Sequence, residues 1–497
     1  MKYFITLIFC LFQANHIIGE GLHPGRLTCE YLFNPPCVDA EHPRLSWINE
    51  DADHSRGQAQ TAWQIRVASS YQNLMNGNAD LWNSGKINSG QSVNIVYGGK
   101  ALKSRQDCWW QVRVWGNQGM ASEWSEPASW SMGLLNQDEW KAKWIGAPWQ
   151  GEDPIPDNKR PLTASRARPG QKPTDMSGLE APPPSPMLRK TFTTQKDIVS
   201  AKAYVTGLGY FELYCNGSKV GTDVLVPNQT NYGKRPGLLN NPIPLEDDFR
   251  EYKVFYLSYD LTSMLQKGEN VVGAILGNGF YNAPINWTES YGTPRFLGQI
   301  YIKYADGSED VIISDKTWKA AKSPILMDLI FDGEHYDARQ EQPGWAAAGF
   351  DDSRWQEAAL RKAPEGKLRA QMSHPDKVME VIQPVDIEKI GEGKFKVDFG
   401  QEISGWVHLK GIKGEPGRKI TIRYVHQTPS GDNSYTLKGA GSESYAARFT
   451  WFVFRVAEID NWPGELLPEN ISAEAVYNEI ETTGKFESSN VLFNTIN

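Results

Sequence analysis

Trp63-Gln64-Ile65-Arg66-Val67 alternates large apolar side chains with polar ones. Trp110-Gln111-Val112-Arg113-Val114 repeats the pattern. A period of two puts Trp63, Ile65 and Val67 on one face of an extended strand and Gln64 and Arg66 on the other. One apolar face and one wetted face is what an antiparallel sheet packed on a single side requires, and two such sheets make a sandwich. Turn signals at Asn76-Gly77 and Gly98-Gly99 punctuate the strands. Residues 22–135 therefore read as a fibronectin-III-like β-sandwich.

The same reading extends toward the C-terminus. Phe211, Leu213 and Cys215 alternate with Glu212 and Tyr214 and run into Asn216-Gly217. Asp260 is placed to cap one helical turn, Asp260-Leu-Thr-Ser-Met-Leu265, which Lys267-Gly-Glu-Asn270 stops before a buried strand over Val271 to Leu276. This order resembles a galactose-binding-like jelly roll and sets a second domain at 140–364. Within it, 150–186 has many prolines and charges, few apolar residues and no periodicity, and is expected as a surface loop. A third β-sandwich is expected at 377–480, where Ile403 to Leu409 precedes the alternating Ile420, Ile422 and Tyr424. Residues 484–497 read as the start of a helix with Ser488 or Ser489 as N-cap. The fold class is thus all-β, with tandem sandwich and jelly-roll domains.

Composition narrows the function. Lys and Arg number 51 against 59 Asp and Glu, a net charge of -8 with no basic tract. Nucleic acid and anionic membranes have no electrostatic attraction to such a chain. Lys2 followed by the apolar run Phe4 to Leu11 reads as a signal peptide over 1–20, too short to span a bilayer. Export to the periplasm or the medium is expected. Cys29, Cys37, Cys108 and Cys215 have no metal-site spacing. Cys29 could pair with Cys37 or Cys108, or all four could be buried thiols.

Several motifs in series resemble the bacterial α-L-rhamnosidases of glycoside hydrolase family 78. They are Pro43-Arg-Leu-Ser-Trp47, Leu81-Trp-Asn-Ser-Gly85, Glu123-Trp-Ser125 and Trp140-Lys-Ala-Lys-Trp-Ile-Gly146. Leu188-Arg-Lys190, Leu213-Tyr-Cys-Asn-Gly217, Leu276-Gly-Asn-Gly-Phe-Tyr281, Gly333-Glu-His-Tyr-Asp-Ala-Arg339 and Pro343-Gly-Trp345 follow. The third domain adds Asp398-Phe-Gly-Gln401, Gly405-Trp-Val407, Arg448-Phe-Thr-Trp451 and Phe454-Arg455. His426-Gln427-Thr428 and Phe452-Val-Phe-Arg-Val456 depart from the family's usual residues. The resemblance implies inverting hydrolysis of terminal α-L-rhamnose, so rhamnose-containing glycans are the expected partners. It also implies an (α/α)6 barrel carrying the two catalytic carboxyl groups, which these 497 residues do not include. The chain is therefore expected to be the N-terminal part of such an enzyme and inactive alone. A non-catalytic glycan-binding or scaffolding protein is the alternative.

No residue is assigned a catalytic role. Glu334 and Asp337 are the best acid pair by type, yet strand geometry aims them at opposite faces, and Arg339 is near enough to pair with one. Some family members carry a calcium-dependent rhamnose-binding jelly roll. The matching loops here offer Asn228, Asn231, Tyr232, Asn278, Tyr281 and Asn282, whose amide oxygens suit Ca²⁺ and whose rings suit a sugar face. Plain turn chemistry is the competing account of the same residues. Phe486, Val491, Leu492, Phe493 and Ile496 are expected to lie exposed, together with a face near Trp406, Trp451 and Phe452, and to favour self-association.

Overall fold

The computed structural model describes residues 21–51, 56–151, 183–233, 251–282, 291–330, 332–425, 431–480 and 484–496. The expected signal peptide, most of the Pro-rich stretch and His426-Gln427-Thr428 lie outside them. Strands dominate throughout, and the α-helices among the described residues are short, Tyr71–Met75 and Val491–Ile496.

The chain divides into two compact units, Met1–Leu135 and Asn136–Asn497. The first is a two-sheet sandwich. Leu22–Cys29, Arg44–Asp51 and Ile95–Val96 form one sheet, and Trp82–Asn83, Ala62–Ala68, Asp107–Trp115 and Ala128–Ser131 the other. The two strands with the clearest alternation are direct antiparallel neighbours, with Trp63 opposite Val114, Ile65 opposite Val112 and Val67 opposite Trp110. Their apolar sides are buried. Trp47 from the first sheet meets Trp63 from the second edge to face, with ring centroids 6.0 Å apart. Gln60 closes this core by accepting the Trp47 indole N–H at 3.0 Å. Cys29, Cys37, Cys108 and Cys215 are all free and buried. No disulfide joins them in the structure, and burial pushes the Cys29 thiol well above its ordinary value, with help from Glu30 and Cys108.

Among the described residues, the second unit holds three sheets. In one, Arg295–Tyr304 and Ile198–Leu208 are central; in another, Gly268–Gly277 is flanked by Tyr210–Cys215 and Pro186–Thr194. These two face each other across a core that includes Phe211, Leu213 and Leu276 from one side and Val205, Phe296 and Ile300 from the other. The turn after Asp260 is capped by its carboxylate, which accepts Thr262 N–H at 2.8 Å.

The third sheet has eleven strands, organised on the 19-residue strand Lys394–Ile412. Ile325–Leu329 and Gly333–Asp337 also belong to it, although they fall within the span read as the jelly roll. Gly333–Asp337 pairs in parallel with Asp432–Thr436. A second apolar core seals the seam between jelly roll and third sheet, with Met187, Tyr210, Ile275, Trp355, Trp406 and Phe449 among its members.

Two expectations are corrected. Asn490, not Ser488 or Ser489, caps the last helix by accepting Leu492 N–H at 3.0 Å. Trp406 and Phe452 are buried, at 2% and 1% exposure, because Trp406 fills the seam and Phe452 stacks on Tyr424. Trp451, the third residue of the expected face, is half-buried. Phe486, Val491, Leu492 and Phe493 are exposed.

Candidate functional site

Glu334 and Asp337 lie on one strand and serve different partners. Asp337 holds Arg339 in a two-pronged pair at 2.9 and 2.8 Å. Glu334 is completely buried. Its carboxyl accepts Arg448 N–H at 3.0 Å, Phe449 N–H at 3.3 Å and the Tyr445 hydroxyl at 3.2 Å. Directly across the strand pair stands Asp328, also buried. Asp328 accepts Asn278 N–H at 2.5 Å, the Asn278 side-chain amide at 3.0 Å and the Ser185 hydroxyl. These two acids tie the Asn278 loop and the Arg448 segment to one hairpin, so neither is presented to a substrate.

Burial pushes both carboxyl groups up to about 7, against the hydrogen bonds they accept. A carboxyl raised on folding binds its proton more tightly in the folded state. Its contribution to stability is complete below the ordinary range near 4 and is lost as pH rises through about 7. The melting temperature is therefore expected to fall between about pH 5 and pH 8. Glu334→Gln should flatten that slope, because its carbonyl can still accept both backbone N–H groups while its amide donates to Tyr445. A melting temperature that rises over the same window would refute this account.

The six loop residues form two sets, and the fold brings a ring of each together. Tyr232 and Tyr281 meet at 5.2 Å, both close on Tyr291, and both are buried at 3% exposure. Tyr281 and Tyr291 stack, and Tyr232 meets both edge to face. Asn278 is committed to Asp328, and its Oδ1 accepts from Asn282 at 2.7 Å. Asn282 is buried with its own Oδ1 unpartnered. Asn228 donates through its backbone to Gln371 at 2.8 Å and through its amide to Ser373 at 3.0 Å, and Asn231 O accepts Lys253 N–H. This donor set does not fit a calcium shell: its best-placed side-chain oxygen is taken and it includes no carboxylate. Among the described residues, no group of three or more His, Cys, Asp or Glu is placed to hold a metal.

A different pocket opens at the seam, with a volume of about 260 Å³. Tyr214, Tyr336, Trp345, Glu341 and Arg448 line it, all half-buried. Tyr214 meets Trp345 edge to face at 5.1 Å, and Trp355 backs Trp345 at 6.2 Å. Trp345 can lie there because Gly273 carries no side chain; a Cβ would stand 2.5 Å from its ring. Arg448 Nη1 donates to Glu212 at 2.5 Å and to the Tyr214 hydroxyl at 2.8 Å. Burial opposes the charge on Glu212, but Arg448 and Lys219 pull its carboxyl down to about 2. Glu341 accepts the Tyr336 hydroxyl at 3.1 Å and pairs with Lys438. No local pattern in the sequence marks this constellation. Trp345 and Arg448 stand within the sequence motifs, but only the fold joins positions more than a hundred residues apart.

A third cluster pins strands together. His408 contacts Glu474 at 2.5 Å and Ser444 at 2.9 Å. These residues sit on Lys394–Ile412, Ile471–Asn478 and Glu443–Ala446. The Ser444 hydroxyl also reaches Leu409 O at 3.0 Å, so it is held within the sheet rather than aimed outward.

The fold and these sites define a series of β domains of the kind that accompany carbohydrate-cleaving enzymes, with buried acids and an aromatic seam joining the sheets of the second unit. Residues 24–136 match the model described as "Rha78A-like, N-terminal immunoglobulin domain". Residues 196–238 and 244–380 match the alpha-L-rhamnosidase N-terminal domain, and 388–477 the bacterial alpha-L-rhamnosidase concanavalin-like domain. The chain belongs to the bacterial α-L-rhamnosidase family. An alpha-L-rhamnosidase of Formosa agariphila is 34% identical over 99% of this chain and 51% of its own length. One from Alteromonas sp. is 30% identical, with the same coverage. The structure of the Dictyoglumus thermophilum alpha-L-rhamnosidase superposes with a TM-score of 0.81 at 32% identity, covering 95% of this chain and 50% of that one. The Streptomyces avermitilis enzyme, solved in complex with L-rhamnose, gives 0.81 at 26% identity, covering 96% and 59%. The chain spans about half the length of the curated relatives it matches.

Proposed function

We propose that these residues are the N-terminal β region of an exported enzyme that removes terminal α-L-rhamnose from glycans or glycosides with inversion. The observation that carries this reading is the match of three successive rhamnosidase domain models in order along the chain. Inversion needs an acid to protonate the leaving oxygen and a carboxylate to activate water, roughly 6.5–9.5 Å apart across an open cleft. Glu334 and Asp337 do not supply that pair, since each is committed to protein partners. The 497-residue chain is accordingly expected to leave p-nitrophenyl α-L-rhamnopyranoside uncleaved. Turnover above the buffer blank that Glu334→Gln abolishes would overturn this.

Export rests on Lys2 and the apolar run after it, and amino-terminal sequencing of the secreted product tests it. No helix among the described residues is long and apolar enough to cross a membrane. Self-association through exposed Phe486, Val491, Leu492 and Phe493 belongs to the same proposal. Light scattering on the purified chain measures it.

A further inference from the structure

Among the described residues, one nitrogen of the Arg448 guanidinium is hydrogen-bonded. Nη1 serves Glu212 and Tyr214, and the side chain remains 31% exposed at the pocket. Nε and Nη2 have no hydrogen-bond partner among the described residues. Those two nitrogens form the planar edge of a guanidinium that matches the two oxygens of a carboxylate. Beside the pocket two cations, Arg448 and Lys219, share the single carboxylate of Glu212, while Lys438 pairs with Glu341. Glu334, on the backbone side of Arg448, is buried and raised toward neutrality, so below pH 7 it subtracts little. The rest of the lining is aromatic: Tyr214, Tyr336 and Trp345 give ring surface for the C–H face of a pyranose. A volume of about 260 Å³ takes one sugar ring, and Glu341 stands ready to accept a ring hydroxyl.

We propose that the seam pocket binds a carboxylated pyranose, a uronic acid unit, with its carboxylate on the Nε–Nη2 edge of Arg448 and its ring against Trp345 and the two tyrosines. This would give the β region a recognition site for an acidic sugar, whichever glycoside the whole protein cleaves. None of Tyr232, Asn278, Tyr281 and Asn282 lines the pocket.

Ligand-detected NMR or calorimetry on the 497-residue chain at about pH 6 tests it, that pH keeping Glu334 largely protonated. The probes are D-galacturonate, its neutral counterpart D-galactose, acetate and a galacturonate trimer. Galacturonate is expected to bind saturably and at least about tenfold more tightly than galactose or acetate, a difference of about 1.4 kcal/mol. Arg448→Lys keeps a cation for Glu212 but loses the fork, and should weaken galacturonate by a similar factor with little change in melting temperature. Trp345→Leu should weaken it independently. Binding of the trimer as well would assign a residue within a glycan; the monomer alone would assign a free sugar acid. No galacturonate binding, equal binding of galactose or acetate, or unchanged affinity in both variants would each overturn the proposal.

Discussion

Gly333→Ala is expected to cost more than about 4 kcal/mol, enough to remove much of a typical domain's net stability. Gly333 has a φ of +108°, in a region that side chains beyond glycine adopt only with strain. That strain alone is worth about 1–3 kcal/mol. A Cβ there would also stand 1.9 Å from Asp432 O, a main-chain atom that cannot swing away. To make room, Gly333–Asp337 must draw back from Asp432–Thr436, and Glu334 must loosen its hold on the Arg448 segment. Gly307 is the control: its φ is +81°, but nothing lies within 4 Å of a Cβ there. Gly307→Ala should cost only the strain, about 1 kcal/mol. Chemical denaturation of both variants decides the matter. Equal losses would mean that the contact with Asp432 yields easily and that the strand pairing does not depend on it.

Arg448→Ala is expected to cost about 3–5 kcal/mol at neutral pH, while Arg448→Lys costs much less. Arginine is the first of the charges that hold the buried Glu212 ionised. Without it, Glu212 keeps Lys219 at 2.9 Å and the Tyr214 hydroxyl at 2.8 Å, and that hydroxyl loses a donor. A carboxyl lowered on folding contributes stability above its ordinary pKa, and that contribution is lost as pH falls through the folded value near 2. The gap between wild type and Arg448→Ala should therefore narrow as pH drops from about 5 toward 2. Denaturation at several pH values measures it. A gap independent of pH would point to lost packing of the arginine stem rather than lost charge.

Local chemistry was legible where a residue's neighbours in sequence are its neighbours in the sheet. The alternation at Trp63 and Trp110 marked both strands, and these proved to be cross-strand partners. Asp260 and Asn216-Gly217 announced turns by side-chain chemistry alone. The seam was not legible. Trp406 reads as a surface aromatic beside a glycine, yet its neighbours in the core include Met187, Ile275 and Phe449. Likewise, Tyr232 and Tyr281 suit a sugar by type, and only the fold shows them packed with Tyr291. The seam pocket depends on Tyr214, Trp345 and Arg448, which no local pattern relates.

The parallel pairing of Gly333–Asp337 with Asp432–Thr436 also sets a clock. Glu334 N–H finds its acceptor on Asn433, 99 residues later in the chain. At 5–20 residues per second, a ribosome needs roughly 5–20 s to deliver that partner after Glu334 has been added. During that interval the strands Ile325–Leu329 and Gly333–Asp337 have one edge unsatisfied, and Glu334 awaits its donors, whereas Asp328 already has Ser185 and Asn278. A nascent chain halted in this window would present a bare strand edge, the form most open to capture by chaperones or by another growing chain.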